Sequence, residues 1–378
     1  MSARLAEVAV RFLRLGVVAF GGPAAHIALM DDEFVERRRW VSRERFLDLL
    51  GATNLIPGPN STEMTMHLGH DRAGLPGMAV AGACFILPAA LITGAIAWAY
   101  VEYGALPAVE PFLFGVKPAV LAVILGALWK LGKKALPHWR VAPIAAAVFL
   151  AVLAGVGEIP ALFAGGLLGM LWLRWARPGA ATAVLPLNLL LRKQAWAAAH
   201  DLGAATGYSL WKLGLFFLKI GSVLYGSGYV LIAFLQGGLV DDLGWLTRQQ
   251  LLDAVAVGQF TPGPVLTTAT FIGYLLGGWP GAAVATLGIF LPSFFFVALL
   301  NPVISKLRRS DWTAAFLDAV NAASVALMAA VTLELARTTL VSWQAAVIAV
   351  VAAALTFAWK INPAWLVVAG AITGRLLT

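Results

Sequence analysis

Three basic side chains interrupt stretches of sequence that are otherwise apolar. Arg14 lies in "FLRLGVVAFGGP" and Lys219 in "FLKIGSVLYGSG", each shortly before a glycine-rich break, and Lys117 lies in "FLFGVKPAVLAVI". A charged group at membrane depth is costly and marks a functional site by default. Cations beside backbone N–H donors suit a small anion. Snorkelling of Arg14 to the membrane surface is the alternative, because Arg4 and Arg11 share its helical face.

The tripeptide Pro-Gly-Pro occurs twice, in "LIPGPNS" at 55–61 and in "FTPGPVL" at 260–266. Each copy removes two N–H donors and keeps the preceding residues out of helical geometry, so a continuous helix is strongly disfavoured. We predict two half-helices that meet at membrane depth, where a free helix N-terminus attracts an anion. A packing hinge without substrate contact is the alternative.

The predicted substrate site combines the three cations with groups at these breaks and at the glycine breaks "AFGGPAAH" and "LYGSGYV". Glycine lets the backbone approach a ligand closely, and Asn, Ser, Thr and Gln offer hydrogen bonds. The predicted residues are Arg14, Lys117, Lys219, Gly21, Gly22, Asn54, Pro57, Gly58, Pro59, Asn60, Ser61, Gly226, Ser227, Gly228, Gln259, Pro262, Gly263, Pro264 and Thr267.

Glu63, His67 and His70 fall on one helical face, a pattern that raises the possibility of a metal site. The HExxH spacing is missing, and the corresponding second-half residues offer no such ligands, so we predict no metal. Glu63 either stabilises the positive end of its half-helix or carries a proton. His26, which follows the first glycine break, is a second candidate for proton coupling.

The composition identifies the elements that must position these groups. Hydrophobic residues make up 60% of the 378 and charged residues 12%, with a mean hydropathy of +0.84. Soluble domains have about a quarter charged residues, so this is an all-α integral membrane protein. The apolar runs are near 77–101, 111–129, 141–157, 159–173, 205–222, 279–300, 315–335, 341–358 and 363–377.

Motifs for catalysis and for ATP use are missing. The sequence contains no GxxxxGK[ST], GxSxG or HExxH pattern. Cys84 is the only cysteine, which excludes an intrachain disulfide and a thiolate metal cluster. The net charge of +8 comes from short loops between apolar runs, which indicates membrane orientation rather than nucleic-acid binding. We therefore expect a transporter driven by ion gradients or the membrane potential, without a cofactor and not an enzyme.

The chain contains a repeat of about half its length. Trp40 precedes Pro57 by the same interval as Trp245 precedes Pro262, and "CFILPAA" matches "GIFLPSF". We predict an N-terminal transporter repeat at 1–180, a linker at 181–200 and a C-terminal repeat at 201–378.

Loop charges predict that the two repeats are inverted. "ERRRWVSRER" is basic where its counterpart "DDLGWLTRQQ" opens with two aspartates, and "YVEYGALPAVEP" is acidic where "NPVISKLRRS" is basic. Corresponding loops then lie on opposite membrane sides. We predict ten transmembrane helices plus two re-entrant hairpins near 46–72 and 250–275; full crossings by the hairpins are the alternative. The cytoplasmic stretches would be 37–45, 130–140, 174–193 and 306–309, an arrangement that leaves Arg4 on the wrong side.

Several long motifs, in order, resemble the two-domain form of the chromate ion transporter family of prokaryotes. They are "FLRLGVVAFGGPAAHIALM", "NLIPGPNSTEMTMHLGH", "FGVKPAV", "GQFTPGPVLTTATFIGYLLGG" and "ATLGIFLPSF". The resemblance covers both halves. It implies chromate efflux across the cytoplasmic membrane as a resistance function, by antiparallel duplicated halves, although some members are linked to sulfate.

We therefore expect an alternating-access exporter of chromate or a related tetrahedral dianion, with lipid as its surroundings, protons as a possible coupled ion and a homodimer as its assembly. Two rivals stay open. One is a sulfate or other oxyanion permease of the same fold. The other is a membrane-embedded enzyme or metal protein built on Glu63, His67 and His70.

Overall fold

A computed structural model describes residues 3–19, 22–104, 110–136, 139–175, 208–225, 228–301, 310–359 and 361–377. Over these ranges the chain forms fourteen α-helices. The first half contains α1 (Ala3–Val18), α2 (Gly22–Asp31), α3 (Arg43–Thr53), α4 (Asn60–Tyr103), α5 (Glu110–Ala135), α6 (Ala142–Leu153) and α7 (Glu158–Trp175). The second half contains α8 (Leu210–Val223), α9 (Leu231–Leu235), α10 (Arg248–Phe260), α11 (Thr268–Leu300), α12 (Asp311–Thr339), α13 (Trp343–Ala358) and α14 (Pro363–Leu377). Short π-helices follow α2 (Asp32–Arg37) and α9 (Gln236–Asp242), and 3-10 turns precede α6 (Trp139–Val141) and α11 (Val265–Thr267).

Four helical segments are long and apolar enough to cross a membrane: Asn60–Tyr103, Glu110–Ala135, Val265–Leu299 and Asp311–Thr339. Shorter apolar helices lie at Trp139–Leu153, Trp343–Ala358 and Pro363–Leu377. Large apolar side chains on the outside, such as Leu87 and Leu287, are more than half exposed. An apolar exterior of this kind is matched by lipid, so the protein is a multi-pass membrane protein.

Two of the long helices each fold back on themselves. Helix α4 loses helical geometry at Ala73 and Gly74 (φ +64°), which separates the arms 60–72 and 75–103, named α4a and α4b. Helix α11 does the same at Gly277 and Gly278 (φ +59°), which separates 268–276 and 279–300, named α11a and α11b. The hydroxyls of Thr270 and Thr286 are 2.7 Å apart, although sixteen residues along a straight helix would span about 24 Å.

Helix α3 and arm α4a form a hairpin whose outer ends lie together. Nε of Arg45, near the start of α3, donates to Asp71, near the end of α4a, at 2.7 Å. Ser42 caps α3 through the amide of Arg45, and Thr247, at the matching position, caps α10 in a capping box with Gln250. The end of the molecule that carries Arg45 is named the basic end.

Helices α1 and α2 form another hairpin, in addition to the two re-entrant hairpins predicted near 46–72 and 250–275. Arg11 and Glu33 form an ion pair at 3.8 Å, and Glu7 and Arg38 form one at 3.6 Å, so the N-terminal part of α1 lies at the basic end. The chain reverses at the glycine break, where Gly22 has φ +78°. The count of ten crossing helices is therefore not confirmed. The N-terminal part of α1, with Arg11, lies at the same end of the molecule as Arg38 and Arg45.

Arms α4b and α11b run in opposite directions. Arm α4b packs against α11b so that Gly82 meets the ring of Phe294 and Gly94 meets the ring of Trp279. Asn301, which ends α11b, bonds His70 at the basic end at 2.6 Å. Helices α6 and α7 pack on α12, while α13 and α14 pack on α5, so each half is braced by the other.

Some predicted features lie outside the described residues. They are the linker at 181–200, the basic stretch at 306–309, and the site residues Gly21, Gly226 and Ser227.

Candidate substrate site

The two Pro-Gly-Pro breaks form short buried loops, named the first PGP loop (54–59) and the second PGP loop (261–264). The N–H of Gly58 donates to the carbonyl of Leu224 at 2.7 Å, and the N–H of Gly263 donates to the carbonyl of Ala19 at 2.8 Å. Both glycines have positive φ, +141° and +85°. Each loop therefore binds the end of the first helix of the opposite half, at positions that correspond in the repeat.

These two bonds correct part of the predicted donor set, because the amides of Gly58 and Gly263 are engaged within the protein. The flanking Pro57, Pro59, Pro262 and Pro264 have no N–H to offer. The amides of the residues that follow, Asn60 and Ser61 in the first loop, open a helix and have no carbonyl one turn earlier in it. The two helix N-termini are therefore the backbone donors that face this centre.

Behind the first PGP loop lies a buried carboxyl group. Glu63 is fully buried, and its Oε1 accepts from the hydroxyl of Ser293, in α11b of the opposite half, at 3.3 Å. A Cβ at Gly58 would collide with both groups. Oε2 of Glu63 and the hydroxyl of Thr62 are buried without a hydrogen-bond partner among the described residues. A buried polar atom without a hydrogen-bond partner lowers the stability of the fold, so these atoms indicate a place where a ligand or water binds.

Side chains around the first loop also bond one another. Nδ2 of Asn60 donates to Oδ1 of Asn54 at 2.9 Å, and Nδ2 of Asn54 donates to the carbonyl of Leu50 at 2.9 Å. Ser61 is buried in the first turn of α4. The predicted donors Asn54 and Asn60 are thus held by the protein in this conformation.

Behind the second PGP loop the polar groups are neutral and mostly satisfied. The hydroxyl of Thr267 donates to the carbonyl of Pro264 at 2.9 Å, and that of Thr268 donates to the carbonyl of Val265 at 2.8 Å. A Cβ at Gly263 would meet Ala89, 2.8 Å away. Ala89 corresponds to Ser293, and Thr268 to Glu63, so this loop has no counterpart of the buried carboxyl.

Tyr229 connects the glycine breaks to this loop. Its hydroxyl donates to Oε1 of Gln259 at 3.1 Å, and it lies 3.6 Å from the position that a Cβ on Gly22 would occupy. Nε2 of Gln259 is buried and has no partner among the described residues. Gly228 packs against Leu266. Gln259 is therefore a predicted donor that stays available.

His26 contacts the same centre. Its Nε2 donates to the carbonyl of Ala19 at 3.0 Å, the carbonyl that also accepts from Gly263. Its ring packs edge-on against Phe85. Nδ1 is buried without a partner in the described part of the chain.

The three predicted cations are not brought together at the loops. Arg14 is exposed and lines a pocket at the basic end, and Lys219 is exposed as well. Lys117 is half-buried within electrostatic range of the buried Asp253. Asp253 accepts from the hydroxyl of Tyr100 at 2.8 Å, across the two halves.

Glu63, His67 and His70 do not converge on one point, since Glu63 contacts Ser293 and His70 contacts Asn301. In the ranges that the structure describes, no three His, Cys, Asp or Glu side chains are grouped as metal ligands.

Sequence reasoning missed Ser293, Asp253 and Tyr100. Asp253 carries a usable signal, because it is an acid within the apolar run "LLDAVAVGQF". Ser293 and Tyr100 carry none, because serine and tyrosine are ordinary in helices and their partners come from the other half.

The fold and the site define a polytopic membrane transport protein, in which broken hairpins enter from opposite ends and meet at a buried polar centre. Such half-helix ends are where transport proteins hold substrates and ions.

The chain belongs to the chromate transporter family, whose model matches residues 6–170 and again residues 211–375. The chromate transport protein of Cupriavidus metallidurans is 34% identical over 379 residues, with 97% of this chain and 91% of that protein covered. The probable chromate transport protein of Synechococcus elongatus is 32% identical over 366 residues, covering 95% and 91%. The chromate transport protein of Pseudomonas aeruginosa is 33% identical over 387 residues, covering 98% and 92%. No solved structure matches this chain.

Proposed function

We propose that this protein exports chromate, or a closely related tetrahedral dianion, across the cytoplasmic membrane of a prokaryote and thereby confers chromate resistance. The family and the names of its relatives support the substrate. Transport is secondary and uses alternating access between two inverted halves, at 1–180 and 201–378, joined by the linker at 181–200.

The observation that carries the mechanism is the crossed pair of hydrogen bonds at the PGP loops. Gly58 bonds Leu224 and Gly263 bonds Ala19, so both loops lie on the boundary between the halves. Movement of one half against the other would therefore change the contacts of both PGP loops. The opposite directions of α4b and α11b support the inversion.

The centre has the chemistry that a tetrahedral oxyanion needs. Helices begin directly after both PGP loops, where the first amides have no carbonyl one turn earlier in the helix. The side chains of Thr62 and Gln259 are further donors, without partners among the described residues. An oxyanion with four acceptor oxygens satisfies several such donors at once. Lys117, half-buried in α5, is within electrostatic range of the buried Asp253.

The membrane potential favours export of a dianion from a cell that is negative inside, by ~2.3 kcal/mol per charge per 100 mV. Glu63 is the first candidate for proton coupling, because in the described ranges its carboxyl forms no ion pair and one oxygen is unpaired. His26 is the second. An arriving dianion would favour the protonated form of a neighbouring carboxyl, since two adjacent negative charges repel each other, so binding of the substrate would be coupled to binding of a proton. The assembly is a homodimer in this proposal.

The test is flux of radiolabelled chromate into everted membrane vesicles under an imposed potential, with excess sulfate as competitor. Two matched variants, Thr62→Val and Thr267→Val, each remove a fully buried hydroxyl at the same position of the two loops. Thr62→Val is expected to reduce transport roughly tenfold with little change in melting temperature, because it removes no hydrogen bond within the protein. Thr267→Val removes the bond to Pro264 and is expected to lower the melting temperature.

Chromate accumulation that follows the potential, with weak competition by sulfate, supports the exporter. Equal transport of sulfate would replace chromate by a broader oxyanion substrate. Normal transport by Thr62→Val would refute the donor role of the first loop.

A further inference from the structure

A cavity of about 420 Å³ opens at the basic end, away from the PGP loops. We name it the arginine pocket. It is lined by Glu7, Arg11, Arg14, Glu33, Arg37, Arg38, Trp40 and Arg72. Five arginines against two glutamates give the lining a net charge of +3, and clefts lined by one sign of charge concentrate ions of the other sign.

The two glutamates of the pocket do not form ion pairs with all five of its arginines. Glu7 pairs with Arg38 and Arg72, and Glu33 pairs with Arg11 and Arg38, so two carboxylates serve three arginines. None of the ion pairs between described residues includes Arg14, which is exposed. Arg37 pairs at 2.9 Å with Asp32, which is not part of the lining, so Arg14 is the one arginine of the pocket that no ion pair between described residues neutralises.

Buried donors without acceptors also point to an anionic ligand. The Nε–H groups of Arg11 and Arg72 are out of contact with solvent and have no hydrogen-bond partner among the described residues. A buried charged donor without an acceptor is costly. The guanidinium of Arg72 is held in place by stacking on Trp40, 5.0 Å from the ring centroid.

The corresponding place in the second half lacks the arginines that line the pocket. Phe216, Lys219, Asp242, Leu243 and Gly277 replace the five arginines. The ring of Phe216 packs where a Cβ on Gly238 would lie, and Tyr208 packs on Trp245 with ring centroids 5.5 Å apart. Of the five arginine positions, only that of Arg14 keeps a cation in the second half, as Lys219.

We propose that the arginine pocket is a second oxyanion site, which captures the transported dianion at the cytoplasmic entrance before it reaches the PGP loops. This inference rests on the proposed function. Arginine forks suit tetrahedral dianions, and the positive-inside rule puts the basic end in the cytoplasm. Helix α1 joins the two sites, since Arg14 precedes Ala19, the acceptor of the Gly263 amide, by five residues or about 7.5 Å along a helix.

The experiment measures initial rates of chromate uptake by everted vesicles, whose outer surface is the cytoplasmic face, as a function of chromate and salt concentration. Arg14→Ala is expected to raise KM about fivefold with Vmax unchanged, and to weaken the dependence of KM on salt. Arg14→Lys keeps the charge and is expected to retain most of the wild-type KM. Arg4→Ala is the matched control, because Arg4 is an exposed arginine on the same helix outside the pocket.

The outcomes separate this inference from the proposed function. No uptake by the wild type refutes chromate export itself. Uptake by the wild type with equal KM for Arg14→Ala and Arg4→Ala refutes the pocket while export stands. Reconstitution in phosphatidylcholine alone and with phosphatidylglycerol distinguishes the source of the anion: an effect of Arg14→Ala that requires phosphatidylglycerol would assign the pocket to a lipid phosphate and overturn capture of the substrate.

Discussion

The two PGP loops have matching backbones and different side chains behind them. In both, a glycine with positive φ donates its N–H to the opposite half. Behind Gly58 lie the carboxyl of Glu63 and the hydroxyl of Ser293, whereas behind Gly263 lies Ala89. The two loops therefore share their backbone geometry, while in the described residues a carboxyl group lies behind the first loop and His26 contacts the carbonyl that accepts from the second. The comparison distinguishes Gly58 and Gly263, which set the backbone geometry of the centre, from Glu63, which adds an ionisable group.

The largest effect is expected from glycine substitution, which tests the shared backbone. Gly58→Ala would place a Cβ against Glu63 and Ser293 at a φ that alanine rarely adopts, at a cost of about 3 kcal/mol. We expect loss of transport and a lower melting temperature, and a similar but smaller loss in Gly263→Ala. Gly244→Ala is the control, since Gly244 also has positive φ but a Cβ there meets nothing within 4 Å. Gly58→Ala with wild-type transport would show that the geometry of the loop is dispensable.

A smaller effect is expected from substitutions of the side chain that distinguishes the loops. Glu63→Gln keeps the shape and removes the exchangeable proton, so we expect roughly tenfold slower transport and a flatter pH profile of the flux. Thr268→Val, at the matching position, loses only the bond to Val265 and should cost about 1 kcal/mol of stability without a change in the pH profile. If both variants keep the wild-type pH profile, the carboxyl does not couple protons.

The smallest effect is expected away from the loops, at the contact between Tyr100 and Asp253. Asp253→Asn should reduce transport about threefold, because Lys117 would lose its nearby buried acid. Tyr100→Phe should lower the stability by about 1 kcal/mol through the lost hydrogen bond. Asp48→Asn is the control, since Asp48 occupies the matching position in α3. Equal fluxes for Asp253→Asn and Asp48→Asn in vesicles would exclude a transport role for Asp253.

The sequence predicted the breaks because their cause is local. Proline lacks the N–H that a helix needs, so Pro57 and Pro262 identify the loops without any knowledge of the surroundings. The partners of the loops could not be predicted, because Leu224 and Ala19 lie more than 150 residues away and offer only a backbone carbonyl. The same limit applies to whole elements. Loop charges indicate on which side of the membrane a loop lies, but they do not predict that α1 and α2 form a hairpin.

The arginines illustrate a second limit. Periodicity correctly places Arg11 and Arg14 on one face of α1, but it does not say what that face meets. In the folded chain it meets Glu33 and the other residues of the arginine pocket. A functional role for a cation in an apolar run stays a prediction, and the distance of Arg14 from the membrane centre depends on a chain reversal that the pattern does not contain.

The crossed hydrogen bonds have a consequence for the transport cycle. Both are closed in this conformation, at 2.7 and 2.8 Å. In a transporter of two inverted halves, the inward-facing and outward-facing states exchange the roles of the halves, and each state would stretch one of the two bonds. Under the proposed alternating access, a conformation with both bonds closed lies between these two states, and loss of one bond is expected to distinguish them.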